Sequence, residues 1–326
     1  MTPSPADYGE QLTCYTAALA VAIAASGETR WWRSQLAGGP VLALSPAGDL
    51  VRFEHHATPP LPALGLHHRW AGDWSAAGPA LAAELSRTGV VIVLGDVYQL
   101  PWQRGHRRWH APHWFTVVDR PGGRRVDDVL SMTTDLGPQR PSLVRATGEL
   151  ADWAVAVPPD DPVHILREQA VAGHADIGLG SSYRWLEAGL PQPAPGPPSG
   201  RLVGADALAA LAERFRFAAG PEDYRQADDL WQALRQRELL VRAAADDAGL
   251  LTPDGVEHWR RAVQAWRALP PLLLHARMRA EAGASVDTGR VADALFSLCE
   301  FEGRHLAAAP EPASGGTWPD RSGGEG

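Results

Sequence analysis

Lysine is missing from this chain: all 30 basic side chains among its 326 residues are arginine. That excludes a lysine Schiff base and the lysine of a phosphate-binding P-loop. Cysteine is nearly missing too. Cys14 and Cys299 are the only two, too few for a disulfide framework or a cysteine metal set. No apolar run approaches membrane-spanning length, since the stretch from Ala17 to Ala25 is far too short. The N-terminal residues Met-Thr-Pro-Ser-Pro-Ala-Asp lack the basic start of a signal peptide. The expectation is therefore a cytoplasmic chain with no membrane partner. Basic block sequence is also lacking, and the net charge is −8, so nucleic acid is not expected as a partner.

What is present describes a globular protein. Apolar residues make up 45% and charged residues 21%, and the length suffices for one large domain or two ordinary ones. Leu12 to Ser26 reads as an alanine-rich helix, with Gln11 or Thr13 at its start and Gly27 as its stop. Val41 to Leu44 and Leu50 to Phe53 flank a Gly48-Asp49 turn and read as a hairpin. A helix over Ala76–Arg87 leads into Val90–Leu94, a strand apolar on both faces and so central in a sheet. His113–Val118 and Arg124–Val129 read as a second hairpin about Pro121-Gly-Gly123, and Glu149–Val157 closes the sheet region.

After that the composition shifts. Residues 189–200 (GLPQPAPGPPSG) form a proline-rich linker, expected to be stiff and solvated. Helical periodicity follows over Ala205–Phe217, Pro221–Asp247, Pro253–Leu269 and Pro271–Ala282. The tail is low in complexity and expected to be disordered. The predicted fold is α+β, with a catalytic domain over 1–188, the linker over 189–200, a helical domain over 201–307 and a tail over 308–326.

Cys14 is the nucleophile candidate. A thiol in the first turn of a helix feels the unpaired backbone N–H groups, which favour the thiolate and can also donate to an oxyanion. The alternative is a cysteine that packs as a small hydrophobe, the reading that fits Cys299 among Phe296, Leu298 and Phe301. His113, which opens a strand directly after a loop, is the candidate base, with His106 and His110 nearby as alternatives. Spacings of four and three with no carboxylate between them make these histidines a poor metal site, so neither metal nor cofactor is expected. His55-His56 and His67-His68 are adjacent pairs whose side chains diverge, and they read as surface features.

A base needs an acceptor to fix its tautomer. Asp119 lies six residues along the strand, about 20 Å away. Asp127 and Asp128 lie on the return strand, and counting outward from the turn near Gly122 favours Asp128 or its neighbours over Asp119. Between the strands, Arg104-Gly-His-Arg107-Arg108-Trp-His110 is cationic and aromatic in an otherwise acidic chain. Arg104, Arg107 and Arg108 therefore read either as a solvated surface or as a docking patch for an anionic partner.

Three stretches carry a resemblance: Cys14-Tyr-Thr-Ala-Ala, Val93-Leu-Gly-Asp96-Val-Tyr98-Gln-Leu-Pro101, and His113-Trp-Phe-Thr-Val-Val118. Over its first ~160 residues the chain resembles the N-terminal domain of the butirosin biosynthesis protein H family, a papain-like cysteine fold. The middle stretch is similar to that family's strand followed by Asp-x-Tyr-x-Leu-Pro. The helical region resembles the domain commonly joined to it, through Arg237–Asp247 and Trp259–Leu269. The resemblance implies an antibiotic-biosynthesis acyltransferase. It would move an acyl group from the phosphopantetheine arm of an acyl carrier protein, through an acyl-cysteine, to an amine of a small molecule. It implies Cys14 as nucleophile, His113 as base and Asp128, or Asp127, as its orienter. Asp119, Asp96 and Tyr98 stand as alternatives or support, and Gln11 as the oxyanion glutamine, although it precedes the cysteine by only three residues. Leader peptidases of the same fold are more distantly similar. A cysteine peptidase or amidohydrolase and a non-catalytic scaffold are thus the competing readings.

Overall fold

Thr13 and Thr16 decide where the first helix starts. The Thr13 hydroxyl accepts from the Thr16 amide at 3.2 Å, and the Thr16 hydroxyl accepts from the Thr13 amide at 2.8 Å. This reciprocal cap fixes Cys14 as the first helical residue. The helix is apolar on every side and buried from Tyr15 to Ile23, the pattern of a helix enclosed by its neighbours.

The computed structural model describes residues 3–36, 39, 42–54, 60–134, 136–145, 150–157, 161–172, 177–193 and 199–302. In chain order the elements are α1 (Cys14–Ala25), α2 (Trp31–Leu36), β1 (Ala43–Ala47), β2 (Leu50–Glu54), β3 (Leu66–Ala71), α3 (Trp74–Thr88) and β4 (Val90–Asp96). Then come β5 (Pro112–Arg120), β6 (Gly123–Asp128), β7 (Met132–Thr134), β8 (Gly137–Gln139), β9 (Ser142–Arg145), α4 (Leu150–Trp153), α5 (Pro162–Ala172), β10 (Tyr183–Ala188) and β11 (Leu202–Val203). Five helices follow: α6 (Ala205–Arg216), α7 (Ala227–Asp246), α8 (Pro253–Trp266), α9 (Leu269–Glu281) and α10 (Thr288–Glu302). The protein is α+β, with a helical C-terminal region.

The chain forms two compact units. The first holds a six-stranded sheet in the order β3-β10-β4-β5-β6-β9, with every neighbouring pair antiparallel. β4 is buried at every position, as expected of a central strand. α1 packs against β5 and β4, and the Thr116 hydroxyl donates to the Ala18 carbonyl at 2.9 Å. α3 joins Val91, Val93, Phe115 and Val117 in an apolar core through Ala77, Leu81 and Leu85.

Of the described residues, the second unit contains 36, 39, 42–54 and 199–302, a division that differs from a cut at residue 188. The β1–β2 hairpin forms as expected, but β1 also pairs with β11. Leu42, Leu44 and Phe53 share a core with Leu208, Leu211 and Phe215 of α6. The Gln226 amide holds both backbone groups of Val51, at 3.1 and 2.5 Å. These long-range contacts outweigh proximity along the chain.

Other expectations are corrected locally. The helix expected over Pro221–Asp247 is a 3₁₀ turn, Pro221–Tyr224, followed by α7, and α8 stops at Trp266 instead of running to Leu269. Within the 149–157 stretch, 150–153 is helical; β3 and β10, not anticipated, supply the remaining sheet on that side. The proline-rich stretch begins tethered, not free: the Gly189 amide donates to Gly65 O at 2.7 Å and the Gln192 amide to Pro62 O at 2.8 Å. Residues 194–198, the tail from 308 and the His55-His56 pair lie outside the described residues. Among the described residues no helix is long and apolar enough to cross a membrane.

Candidate active site

The site is assembled where the start of α1 meets the start of β5. Cys14 is partly exposed, whereas His113 and Asp128 are buried at 3% each. The His113 ring and the Trp114 backbone are the groups that act most favourably on the Cys14 thiolate. On the ring's other side, His113 Nε2 lies 2.7 Å from Asp128 Oδ2. Because Nε2 is engaged there, Nδ1 is the nitrogen left to face the thiol.

Register explains which aspartate reaches the ring. Thr116 pairs with Asp127, so Asp127 shares the Thr116 face, and successive residues of a strand point to opposite faces. Asp127 is engaged by Arg125, whose Nε and Nη2 lie 2.5 and 2.9 Å from its two oxygens. Asp128 falls on the opposite face, the one His113 and Phe115 share. Asp119 pairs with Arg124 near the far end of β5 and is exposed. Of the three aspartates, only Asp128 meets His113.

Asp128 has further partners that the sequence did not reveal. Its Oδ2 also accepts from Trp102 Nε1 at 2.8 Å and from Gln103 Nε2 at 2.6 Å, while Oδ1 accepts from the Leu130 amide at 3.2 Å. Gln103 Nε2 and His113 Nε2 approach to 3.0 Å because both donate to one oxygen. Trp102 is braced edge-on by Phe115 and Trp153, with ring centroids 5.6 and 5.0 Å away. Gln139 secures this loop from below, accepting from the Arg104 amide at 2.9 Å and donating to Trp102 O at 3.2 Å.

These contacts set the charges. Burial pushes the Cys14 thiol up, but the His113 hydrogen bond and charge, with the Trp114 backbone, outweigh it and hold the thiol below its ordinary 9.0. Burial pulls His113 down, yet the charge and hydrogen bond of Asp128, then those of Cys14, push it up to about 10. For Asp128 burial again opposes ionisation, and His113, Trp102 and the Leu130 amide together keep its carboxyl below 3.8. The arrangement favours a thiolate beside an imidazolium, anchored by a permanent carboxylate.

The other expected residues sit around this centre without joining it. Asp96 is buried at the end of β4; its Oδ1 accepts from the Tyr98 and Ala111 amides, and its Oδ2 lies 2.5 Å from His110 Nδ1. Tyr98 stacks on the His110 ring at 4.4 Å. Gln11 is partly buried at the end of the 3₁₀ turn Pro5–Gln11 that precedes α1. Of the three loop arginines, Arg104 is committed through Nε to Pro138 O at 3.0 Å, while Arg107 and Arg108 are exposed. His67 and His68 diverge as expected, but both are half-buried, His67 against Leu190 O and His68 edge-on to Trp114. Cys299 lies in α10 of the other unit, and burial raises its thiol. Among the described residues no group of three or more His, Cys, Asp or Glu is placed to hold a metal ion. No family model matches the chain, and no curated protein matches it.

Proposed function

We propose that this protein is a papain-like cysteine acyltransferase, moving an acyl group from a carrier-bound thioester to an amine of a small molecule. The observation that carries the reading is the Cys14–His113–Asp128 chain, with its thiol lowered and its imidazole raised. An enclosed helix that presents a cysteine at its first turn, packed on an antiparallel sheet that presents the histidine, supports the papain-like assignment.

The steps follow from these groups. The Cys14 thiolate attacks the thioester carbonyl, forming a carbon–sulfur bond. The Cys14 amide, first in its helix and so without an intrahelical acceptor, faces the developing oxyanion. As the tetrahedral centre collapses, the carrier's carbon–sulfur bond breaks, and its sulfur takes the proton from His113 Nδ1. The neutral imidazole then accepts a proton from the incoming amine as the carbon–nitrogen bond forms. Cys14 leaves as thiolate, and the thiolate–imidazolium pair is restored. Asp128 keeps its charge throughout and holds the ring in place.

The exposed Arg107 and Arg108 in the loop before the histidine favour a carrier-bound donor over a peptide. Water in place of the amine would give the related hydrolase, and a scaffold would carry no activated thiol. Intact-mass measurement after mixing with an acyl thioester tests the reading. A stoichiometric acyl adduct mapped to Cys14, discharged faster by amines than by water, is expected. No adduct with any thioester, despite a folded protein, refutes it; discharge by water alone moves the assignment to a hydrolase.

A further inference from the structure

A second histidine–carboxylate pair lies at the triad's end of the sheet. Asp96 ends β4 at 4% exposure, and its Oδ1 accepts from the Tyr98 amide at 3.0 Å and the Ala111 amide at 3.2 Å. Its Oδ2 accepts from His110 Nδ1 at 2.5 Å. That donation leaves Nε2 of the neutral ring unprotonated. The His110 side chain is 58% exposed, and among the described residues no partner engages Nε2. Tyr98 covers one face of the ring, nearly parallel to it at 4.4 Å. A buried carboxylate that orients an imidazole by one nitrogen and leaves the other open is the arrangement of a general base.

β4 and β5 bring the two pairs together. Gly95 stands opposite His113 and Asp96 opposite Pro112, and the Val97 amide continues the ladder to Ala111 O at 2.9 Å. Pro112, Trp114 and Thr116 share one face of β5. α1 lies on that face: the Thr116 hydroxyl bonds Ala18 O, and the ring of Tyr15, next to Cys14, meets the Trp114 ring at 6.3 Å. Asp96 therefore stands on the Cys14 side of the sheet, one row, about 7 Å, beyond that contact. His110 is three residues from His113, so their Cα atoms are at most about 11 Å apart.

Proton balance gives this pair work to do. An alkyl amine arrives at neutral pH as ammonium, with three N–H protons, and the amide product keeps one. His113 gives one proton to the leaving thiol and so takes back only one. The other must leave before the nitrogen lone pair can attack. We infer that His110 is the general base that takes it, with Asp96 orienting the ring and stabilising the imidazolium that forms. Nε2 removes a proton from the ammonium, and the free amine attacks the acyl-Cys14 carbonyl. The His110 imidazolium then releases its proton to water. The stacked Tyr98 ring also favours the cation. This role for His110 rests on the acyl-transfer reading above.

Isolated acyl-enzyme separates the two claims. Wild type and His110→Asn are charged at Cys14 with a short uncharged thioester, and discharge by ethanolamine or by hydroxylamine is followed by intact mass at neutral pH. The asparagine amide still offers Asp96 a donor, and hydroxylamine is already an uncharged nucleophile at that pH. His110→Asn should slow discharge by ethanolamine about 10²-fold, the low end of general-base contributions, and leave hydroxylamine near the wild-type rate. Added imidazole should restore the ethanolamine rate. Asp96→Asn, whose side-chain oxygen still accepts from both backbone amides, should show the same selectivity in weaker form and guards against misfolding at position 110. A loss shared equally by both nucleophiles marks a structural role, and no loss with either marks a bystander. Each of these overturns the inference while the acyl-Cys14 adduct leaves the proposed chemistry standing. Absence of the adduct in folded wild type refutes acyl transfer and this role for His110 with it.

Discussion

Asp128 reaches His113 on a diagonal. The register of β5 with β6 sets Asp128 opposite the Phe115 position, two residues from His113, and the imidazole spans the gap to put Nε2 2.7 Å from Oδ2. A carboxylate there fixes the ring with Nδ1 toward the thiol and stabilises the imidazolium. Asp128→Asn keeps the shape but removes the charge and permits the wrong tautomer. Acyl-enzyme formation should fall by about 10²- to 10⁴-fold. Stopped-flow acylation alongside a thermal melt checks this, and an unaltered rate would dismiss Asp128 from the machinery.

The pH dependence follows from the same contacts. The lowered thiol and the raised imidazole define a window in which Cys14 is thiolate and His113 cationic, closing as pH rises through about 10. Iodoacetamide at pH 6.5 should therefore label Cys14 ahead of Cys299, whose thiol burial raises above 9.0. The stability sign differs between partners. His113 has a folded value above its ordinary 6.5, so its contribution is full below 6.5 and is lost as pH rises through about 10. Asp128 is held below 3.8, so its contribution is present above that value and is lost on further acidification. Alkylation rates mapped by mass spectrometry across pH test both thiols, and preferential labelling of Cys299 would end the catalytic reading.

Part of this was legible in the chain. The capped helix at Cys14, the fully apolar β4 and the β5–β6 hairpin each follow from local pattern, and counting from the Gly122 turn selects Asp128 over Asp119. Only the observed register of β5 with β6 then separates Asp128 from Asp127. What escaped notice depends on distant partners. β3, with its His67-His68 pair and exposed Trp70, has little alternation and becomes a strand because β10 pairs with it from over a hundred residues away. Trp102 and Gln103 carry no motif; their role comes from a loop folded back over Asp128. The transfer of β1–β2 to the second unit is a matter of apolar contacts with α6, invisible to chain order.

Trp102 should act through Asp128 without touching substrate. Trp102→Phe removes the 2.8 Å donor yet keeps a ring against Phe115 and Trp153. Losing one hydrogen bond to a charged acceptor costs about 1.5–3 kcal/mol. The Asp128 carboxyl should rise, so it takes up a proton, and releases the imidazolium, at a higher pH than in wild type. The expected signature is an alkylation profile for Cys14 that narrows on its acid side, with Tm lower by several degrees. A profile identical to wild type would mean that Gln103 and Leu130 suffice.

The helical unit offers a separate test of stability. Arg237 in α7 and Glu302 at the end of α10 are buried at 1% and 5%, and they pair two-on-two, Nε to Oε1 at 2.7 Å and Nη2 to Oε2 at 2.6 Å. Trp266 of α8 binds both partners: its Nε1 donates to Glu302 Oε1 at 3.1 Å, and the guanidinium lies 4.1 Å from its ring centroid. Three helices thus converge on one ion pair, whose attraction offsets the desolvation of both charges only while both are present. Arg237→Met should leave the Glu302 carboxylate buried without its cation and destabilise the unit by about 3–5 kcal/mol. Arg237→Met combined with Glu302→Leu should recover much of that loss, because neither charge then remains. Denaturant titration followed by tryptophan fluorescence measures both variants. If the double variant is no more stable than Arg237→Met alone, the pair is not coupled and this account of the helical core fails.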